Sequence, residues 1–303
     1  MATLAPLSAE HPSGLIPSGQ LWLPRASLTH CLRASIVRNT VGYRLADAQR
    51  LNHFPASPLC SLSWWFTGYS ETLVPRTTGG VGHLGCERLP MPGRWVLTGP
   101  QTVPSTSWCP EPTEGLMVLM QPDALHLLTG LEPEALTNCV VDAQAALPAD
   151  WHPMLAAVQA QPDNARRLAC LEDFLEPRWE ACRPEQPGPG RSYSDWAQHL
   201  AQRAALSAPG RSLRQLERRI KRWAGLPMRE LRGMGKSEQA FFDALTAHVD
   251  QGTVSWAGVA ASAGFADQSH LCRVTRRITG FSPQALYEGI LRDEAFWAYR
   301  LWV

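Results

Sequence analysis

A basic, amphipathic helical segment occurs twice in the C-terminal third of the sequence, with a spacing of 55 positions. The two copies are SLRQLERRIKRWAG, residues 212–225, and DQSHLCRVTRRITG, residues 267–280. The shift places Leu216 on Leu271, Arg218 on Arg273, Lys221 on Arg276 and Gly225 on Gly280. Two copies of one local pattern indicate two structural units of the same kind, so this C-terminal region must fold as a helical repeat.

Each copy has one face that can pack and one that can contact an anion. At 100° per residue, the apolar and polar side chains of a helix of this pattern separate onto opposite sides. In the second copy the two faces are Leu271, Val274 and Ile278 against Ser269, Arg273 and Arg276. In the first copy they are Leu213, Leu216, Ile220 and Trp223 against Arg214, Arg218 and Lys221. A solvated basic face is the alternative interpretation of the arginines alone.

The residues before each copy predict a turn and a second helix. Asp267 is a predicted N-cap, and Ser212 with Gln215 forms a capping-box pattern. An alanine-rich segment and a Gly-containing break precede each copy, WAQHLAQRAAL with SAPGR and WAGVAASA with GFA. A small-residue helix, a turn and a basic second helix form the helix-turn-helix pattern.

Charge is distributed unequally along the chain. The net charge of the 303 residues is +1, but residues 189–303 hold 16 Lys and Arg against 10 Asp and Glu. That region therefore carries +6, and the first 188 residues carry −5. A basic C-terminal region attached to an acidic N-terminal region predicts a polyanionic partner for the former.

The segment GFADQSHLCRVTRRITGFSP, residues 264–283, resembles the signature of the AraC/XylS family of transcriptional regulators. The resemblance covers residues 193–291 and is more specific in the second unit than in the first. It implies two helix-turn-helix units joined by a connecting helix at about residues 237–248. The chain departs from the family pattern at Thr275, where an aromatic residue is usual, at Pro227, one place early, and at Pro209, where an apolar residue is usual.

The exposed faces of the two basic helices provide the predicted DNA contacts. Arg can bond guanine with two hydrogen bonds, Gln can bond adenine, and Ser or His can make smaller contacts, while other cations neutralise phosphates. The candidates for base contacts are Arg214, Arg218, Gln268, Ser269, His270 and Arg273. The candidates for phosphate contacts are Lys221 and Arg276. Double-stranded DNA is thus the predicted partner.

The N-terminal half has the sequence pattern of a β-rich domain. Short apolar runs such as PLCSLSWWFTGY and GRWVLTGP lie between Pro and Gly, as in short strands joined by turns. Residues 183–192, RPEQPGPGRS, combine Pro and Gly without an apolar side chain, which predicts a linker. We therefore expect an α+β chain: a β-rich, barrel-like or sandwich domain with helices over residues 1–182, the linker, and an all-α domain with two helix-turn-helix units over residues 193–303.

The N-terminal domain resembles, less specifically, the sensory domains of a subset of these regulators, through FPASPLCSLSWWFTG, VLTGPQTVP and LMVLMQPDALHLLTG. The resemblance implies a β-barrel-like domain that binds a small effector or dimerises. Four tryptophans could line such a pocket or belong to the core: Trp64, Trp65, Trp95 and Trp108. Because adjacent strand residues face opposite sides, Trp64 and Trp65 cannot both point inward.

Other classes of function find little support in the sequence. The eight cysteines show no Cys-x-x-Cys pair, no histidine pair has metal-ligand spacing, and no phosphate-binding loop or nucleophile elbow is present. We expect no catalytic site, metal or cofactor, and a cytoplasmic protein without a membrane segment. Further candidate partners are a second copy of the chain and, for an activator, RNA polymerase. The alternative is an enzyme or non-DNA adaptor whose N-terminal domain carries the activity.

Overall fold

The computed structural model describes residues 15–16, 18–75, 86–184, 192–207, 212–251 and 253–302. Among these residues, ten strands lie in the N-terminal half, as the β-rich prediction requires. The strands are β1 (Gly19–Trp22), β2 (Leu32–Asn39), β3 (Leu51–Phe54), β4 (Cys60–Thr67), β5 (Glu71–Pro75), β6 (Cys86–Pro90), β7 (Trp95–Thr98), β8 (Ser105–Trp108), β9 (Glu114–Met120) and β10 (Val140–Asp142).

The strands form two antiparallel sheets. One has six strands in the order β1-β2-β9-β4-β7-β10, and the other has four in the order β3-β8-β5-β6. Within the described part of the chain no strand pairing joins the two sheets, so the domain is β-rich as predicted but is not a closed barrel. Residues of both sheets line one shared cavity.

Four helices cover the outer face of the six-stranded sheet. They are α1 (Pro122–Thr129), α2 (Ala143–Ala146), α3 (His152–Ala160) and α4 (Asn164–Cys182). Strand β4 alternates between the two faces: Leu62 and Trp64 are buried in the core with the helices, whereas Ser61 and Ser63 line the cavity. The sheet therefore separates an apolar core from a more polar interior.

In the described residues of the C-terminal half, seven helices follow. They are α5 (Tyr193–Leu206), α6 (Leu213–Ala224), α7 (Met228–Gln251), α8 (Trp256–Ser262), α9 (Gln268–Thr279), α10 (Pro283–Arg292) and α11 (Trp297–Arg300). Short 3₁₀ turns in the described residues are Ala26–Leu28, Asp47–Arg50, Ala149–Trp151 and Glu294–Phe296. No helix in the described ranges is long and apolar enough to cross a membrane.

The two repeated segments form α6 and α9 with equivalent ends. The Ser212 hydroxyl accepts a hydrogen bond from the Gln215 amide at the start of α6, and the Asp267 carboxylate accepts one from the His270 amide at the start of α9. Each helix ends at a glycine in the left-handed region, Gly225 with φ 77° and Gly280 with φ 84°. Side chains at these two positions would strain the backbone, so glycine defines both helix ends.

The packing faces agree with the predicted stripes except at one position. Ile220, Leu271 and Ile278 are buried, but Leu213 is 80% exposed, because it is the first residue of α6 and extends beyond the packed surface. The helix that joins the two units, α7, begins at Met228 and is longer than the predicted residues 237–248. The predicted linker falls mainly on residues 185–191, which lie outside the described residues.

The last helical residues of the chain pack on the N-terminal sheets. Trp297 is buried with Ile36, and its indole N–H donates to Oδ1 of Asn52 at 2.8 Å. The Glu294 carboxylate accepts from the Ser18 hydroxyl at 2.7 Å and from the Arg300 guanidinium at 2.7 Å. The C-terminal half is therefore anchored to the β-rich half through its end.

Candidate DNA-binding surface and interdomain cavity

The predicted DNA-contact residues of α9 lie on its outer face. Gln268, Ser269, Arg273 and Arg276 are exposed, while the packed side of the helix is buried against α7 and α8. His270 is half-buried, and its ring packs edge-on against Phe265 with centroids 5.4 Å apart. His270 thus supports the turn as well as reaching the helix surface.

The predicted contacts of α6 are also exposed, but part of this surface faces the N-terminal half. Arg214, Arg218 and Lys221 are all exposed. Nζ of Lys221 lies 2.8 Å from Oε1 of Glu134, and the neighbouring Arg222 pairs with Glu132 at 2.9 Å. The end of α6 is therefore neutralised by an acidic segment of the N-terminal half, which sequence spacing could not reveal.

Four other arginines of the two basic helices differ from Lys221 and Arg222 in this respect. Within the described residues, no carboxylate forms an ion pair with Arg214, Arg218, Arg273 or Arg276. Arg277, which the repeat aligns with Arg222, pairs instead with Glu230 at the start of α7. Four guanidinium groups that form no ion pair with any described carboxylate, on two similarly capped helices, can neutralise phosphates and donate to base edges.

A second contact between the halves lies beside α1. The Asp123 carboxylate accepts from the Trp196 indole at 3.0 Å and also pairs with Arg203, both on α5. Two histidines lie near this carboxylate, His30 before β2 and His199 on α5. Burial lowers the pKa of both histidines. The positive charge of Arg183 lowers the pKa of His30 further, and that of Arg203 lowers the pKa of His199 further. The Asp123 carboxylate opposes the lowering of the pKa at both histidines.

A cavity of about 350 Å³ is lined by residues of both sheets and of the C-terminal helices. Its walls include Ile36 and Met117 from the six-stranded sheet, Phe54 from the four-stranded sheet, and Phe241 from α7. Thr275 of α9, at the position where an aromatic residue was expected, also lines it. The cavity thus touches both sheets, the connecting helix and the second basic helix.

Trp64 belongs to the helix-covered core, although it and Trp65 are both among the residues that line the cavity. Trp64 is fully buried, and its indole N–H donates to the Leu155 carbonyl. Trp65 lines the cavity. Trp95 donates to Gln159, and Trp108 lies beneath the guanidinium of Arg88, so neither is a dedicated pocket wall.

Metal-ligand clusters are lacking within the described residues, where no group of three or more His, Cys, Asp or Glu could hold an ion. Among the cysteines, Cys31 and Cys60 are fully buried, and burial raises the pKa of both thiols. These thiols therefore belong to the packed interior.

Several solved structures resemble the chain at low sequence identity, and all are of ToxT from Vibrio cholerae. An apo point variant from strain SCE256 is 11% identical, covers 85% of this chain and 97% of that chain, and has a TM-score of 0.40. The wild-type structure with a bound unsaturated fatty acid, from the same strain, is 14% identical, with 80% and 95% coverage and a TM-score of 0.33. ToxT from Vibrio cholerae O395 is 11% identical, with 80% and 94% coverage and a TM-score of 0.35.

No curated protein sequence matches the chain significantly. A family model does match: residues 247–286 fit the bacterial regulatory helix-turn-helix proteins, AraC family. The matched range contains α8 and α9, the unit with the fuller signature and with exposed Arg273 and Arg276. Residues 247–286 therefore form an AraC-family helix-turn-helix domain, a kind of domain that binds DNA.

Proposed function

We propose that the protein recognises specific DNA sequences with both helix-turn-helix units and adjusts this binding to a small molecule held in the cavity. The observation that carries the proposal is the pair α6 and α9, which share caps, a packed face and an exposed basic face. A helix of this kind enters the major groove and presents its polar face to base edges. Two units in one chain can occupy successive major-groove segments on one side of the duplex.

The residues divide by chemistry. Arg214, Arg218 and Arg273 can donate two hydrogen bonds to guanine, Gln268 can bond adenine, and Ser269 and His270 make shorter-range contacts. Lys221 and Arg276 are assigned to phosphates, which position the protein without reading sequence. The domain division at residues 1–182, 183–192 and 193–303 belongs to the same proposal.

The response to an effector is supported by where the cavity lies. Its walls come from both sheets and from α7, which joins the two DNA-binding units, and they include Thr275 of α9. A ligand that binds one relative arrangement of these elements better than another shifts the equilibrium toward that arrangement. We place the protein in the cytoplasm, with a second copy of the chain and RNA polymerase as further proposed partners.

Binding of the full-length protein to duplex DNA at several salt concentrations tests this function. Phosphate neutralisation releases counterions, so log affinity should fall linearly with log salt, by about 0.9 per phosphate contacted. Selection from random duplexes at constant salt should then enrich a defined sequence. Absence of duplex affinity at low salt, or binding with no sequence preference, would contradict the proposal. The double variant Arg218→Ala, Arg273→Ala removes a proposed base contact from each basic helix. It should therefore reduce the sequence preference of the protein.

A further inference from the structure

Three hydroxyl groups form a polar patch on the floor of the cavity. Ser61 of β4 lies directly opposite Thr98 of β7, and Ser63 is two residues along β4 on the same face. Directly opposite residues in antiparallel strands hold their Cβ atoms about 4.5–5.5 Å apart, and diagonal neighbours remain within reach of one ligand. All three residues line the cavity. None of them makes a side-chain hydrogen bond within the described part of the chain.

The charged side chains of the cavity wall are already paired. Those among the described residues are Arg33, Arg38 and Glu238. Nη2 of Arg33 lies 3.0 Å from Oε1 of Glu238, whose other oxygen accepts from the Tyr193 amide at 2.6 Å. The Arg38 guanidinium lies 3.5 Å from the buried carboxylate of Glu294 and also donates to Asn52. The wall therefore offers hydroxyl groups, and each of its charged side chains already faces an opposite charge: Arg33 pairs with Glu238, and Arg38 shares Glu294 with Arg300.

The remaining wall is largely apolar. Ile36, Met117 and Leu119 lie on the same side of the six-stranded sheet as the hydroxyl patch, and Phe241 and Leu245 of α7 close the space opposite. Apolar walls with a few convergent polar groups are typical of small-molecule sites, where the polar groups fix the orientation of the ligand.

We propose that the cavity binds a neutral molecule with an apolar body and a carbonyl or hydroxyl oxygen, hydrogen-bonded by Ser61, Ser63 and Thr98. This inference rests on the proposed effector response and names its ligand class. A carboxylate would have to lose its hydration without gaining an unpaired cation. If a ligand carboxylate paired with Arg33 in place of Glu238, the charge of Glu238 would be buried without its partner, which is equally unfavourable.

Binding of three ten-carbon probes to the full-length protein tests this inference. The probes are 2-decanone, 1-decanol and decanoate, measured by isothermal titration calorimetry at about pH 8, where the carboxyl group is ionised. We expect the ketone and the alcohol to bind at least about tenfold more tightly than decanoate. The double variant Ser61→Ala, Thr98→Val should weaken 2-decanone by about two- to tenfold, the effect of lost neutral hydrogen bonds.

Ser35→Ala is the matched control, because Ser35 is a buried serine of the same sheet that is absent from the cavity wall. It should leave the affinity for 2-decanone unchanged. The inference would be overturned if decanoate bound more tightly than either neutral probe, or if no probe bound. It would also be overturned if Ser35→Ala lost as much affinity for 2-decanone as the double variant Ser61→Ala, Thr98→Val. Duplex binding is measured on the same preparations. Retained DNA affinity with a failed probe series refutes the ligand class alone, whereas lost DNA affinity in the wild-type protein refutes the proposed function.

Discussion

Nζ of Lys221 lies 2.8 Å from Oε1 of Glu134, so a cation of the first basic helix is bound to a carboxylate of the N-terminal half. Arg222 and Glu132 form a second pair beside it. The carbonyl of Gly225, which ends the same helix, accepts from the Thr137 hydroxyl at 2.9 Å. Residues 132–137 therefore occupy the end of α6, and in the proposed DNA complex a phosphate competes with two carboxylates for the same cations.

Neutralising this acidic segment should strengthen DNA binding. In the double variant Glu132→Gln, Glu134→Gln, Lys221 and Arg222 become available to phosphates. Each exposed ion pair contributes about 0.2–1 kcal/mol, so for the two pairs we expect a gain of about two- to thirtyfold at low salt. Fluorescence anisotropy with a labelled duplex measures it. Glu111→Gln removes an exposed carboxylate that has no ion pair in the described residues. An equal gain in Glu111→Gln would attribute the effect to general charge repulsion.

The two basic helices should differ in how they recognise sequence. The second unit carries the fuller signature, and its Arg273 is exposed without a carboxylate partner in the described ranges. We expect Arg273→Ala and Arg218→Ala each to cost about 1–3 kcal/mol, with the larger loss of sequence discrimination in Arg273→Ala. Lys221→Ala should weaken all sequences alike and lower the salt slope by about one.

Binding-site selection with each variant at matched salt measures this difference. The wild-type protein selected in parallel supplies the reference preference at every base position. If Arg218→Ala erased a guanine preference while Arg273→Ala changed only the overall affinity, the roles assigned to the two units would be reversed.

The buried carboxylate of Glu294 should contribute strongly to stability. Its side chain is fully buried and bonds Ser18, Arg38 and Arg300, so Glu294→Gln leaves two guanidinium groups without their counterion. Breaking a buried pair in this way costs about 3–5 kcal/mol in the free energy of unfolding. Urea denaturation of the full-length protein measures the change. Glu288→Gln, an exposed site on α10, should change stability by less than about 0.5 kcal/mol.

Acidification should weaken the contact between α1 and α5. Burial lowers the pKa of His30 and His199 in the folded protein, so the unfolded chain takes up protons first as the pH falls below about 6.5. Above about pH 6.5 these two histidines do not change the free energy of unfolding. As the pH falls from about 6.5 toward their pKa values in the folded protein, the free energy of unfolding decreases. Melting temperatures at about pH 7.5 and 5.5 test this. The variant His30→Gln, His199→Gln should show a smaller fall than the wild-type protein, and an equal fall would assign the effect to other groups.

Much of the geometry of the two basic helices could be predicted from the sequence because it depends on local periodicity. The stripe of Leu271, Val274 and Ile278 packs as helical spacing requires, and Asp267 caps α9 as its position predicts. The exposed position of Leu213 escaped prediction, since periodicity assigns a face but does not say where the neighbouring helix ends. The start of α7 at Met228 was missed for a similar reason: Pro227 can precede a helix as well as interrupt one.

The sequence by itself determined the two amphipathic helices, their caps and their basic faces, because these properties arise from residues three or four positions apart. It also determined that Trp64 and Trp65 face opposite sides of a strand. Only the tertiary structure decided which carboxylates neutralise Lys221, Arg33 and Arg38, since the partners Glu134, Glu238 and Glu294 are distant in the chain. The cavity is likewise a product of tertiary structure, because its walls come from two sheets and several helices whose relative placement depends on packing between distant segments.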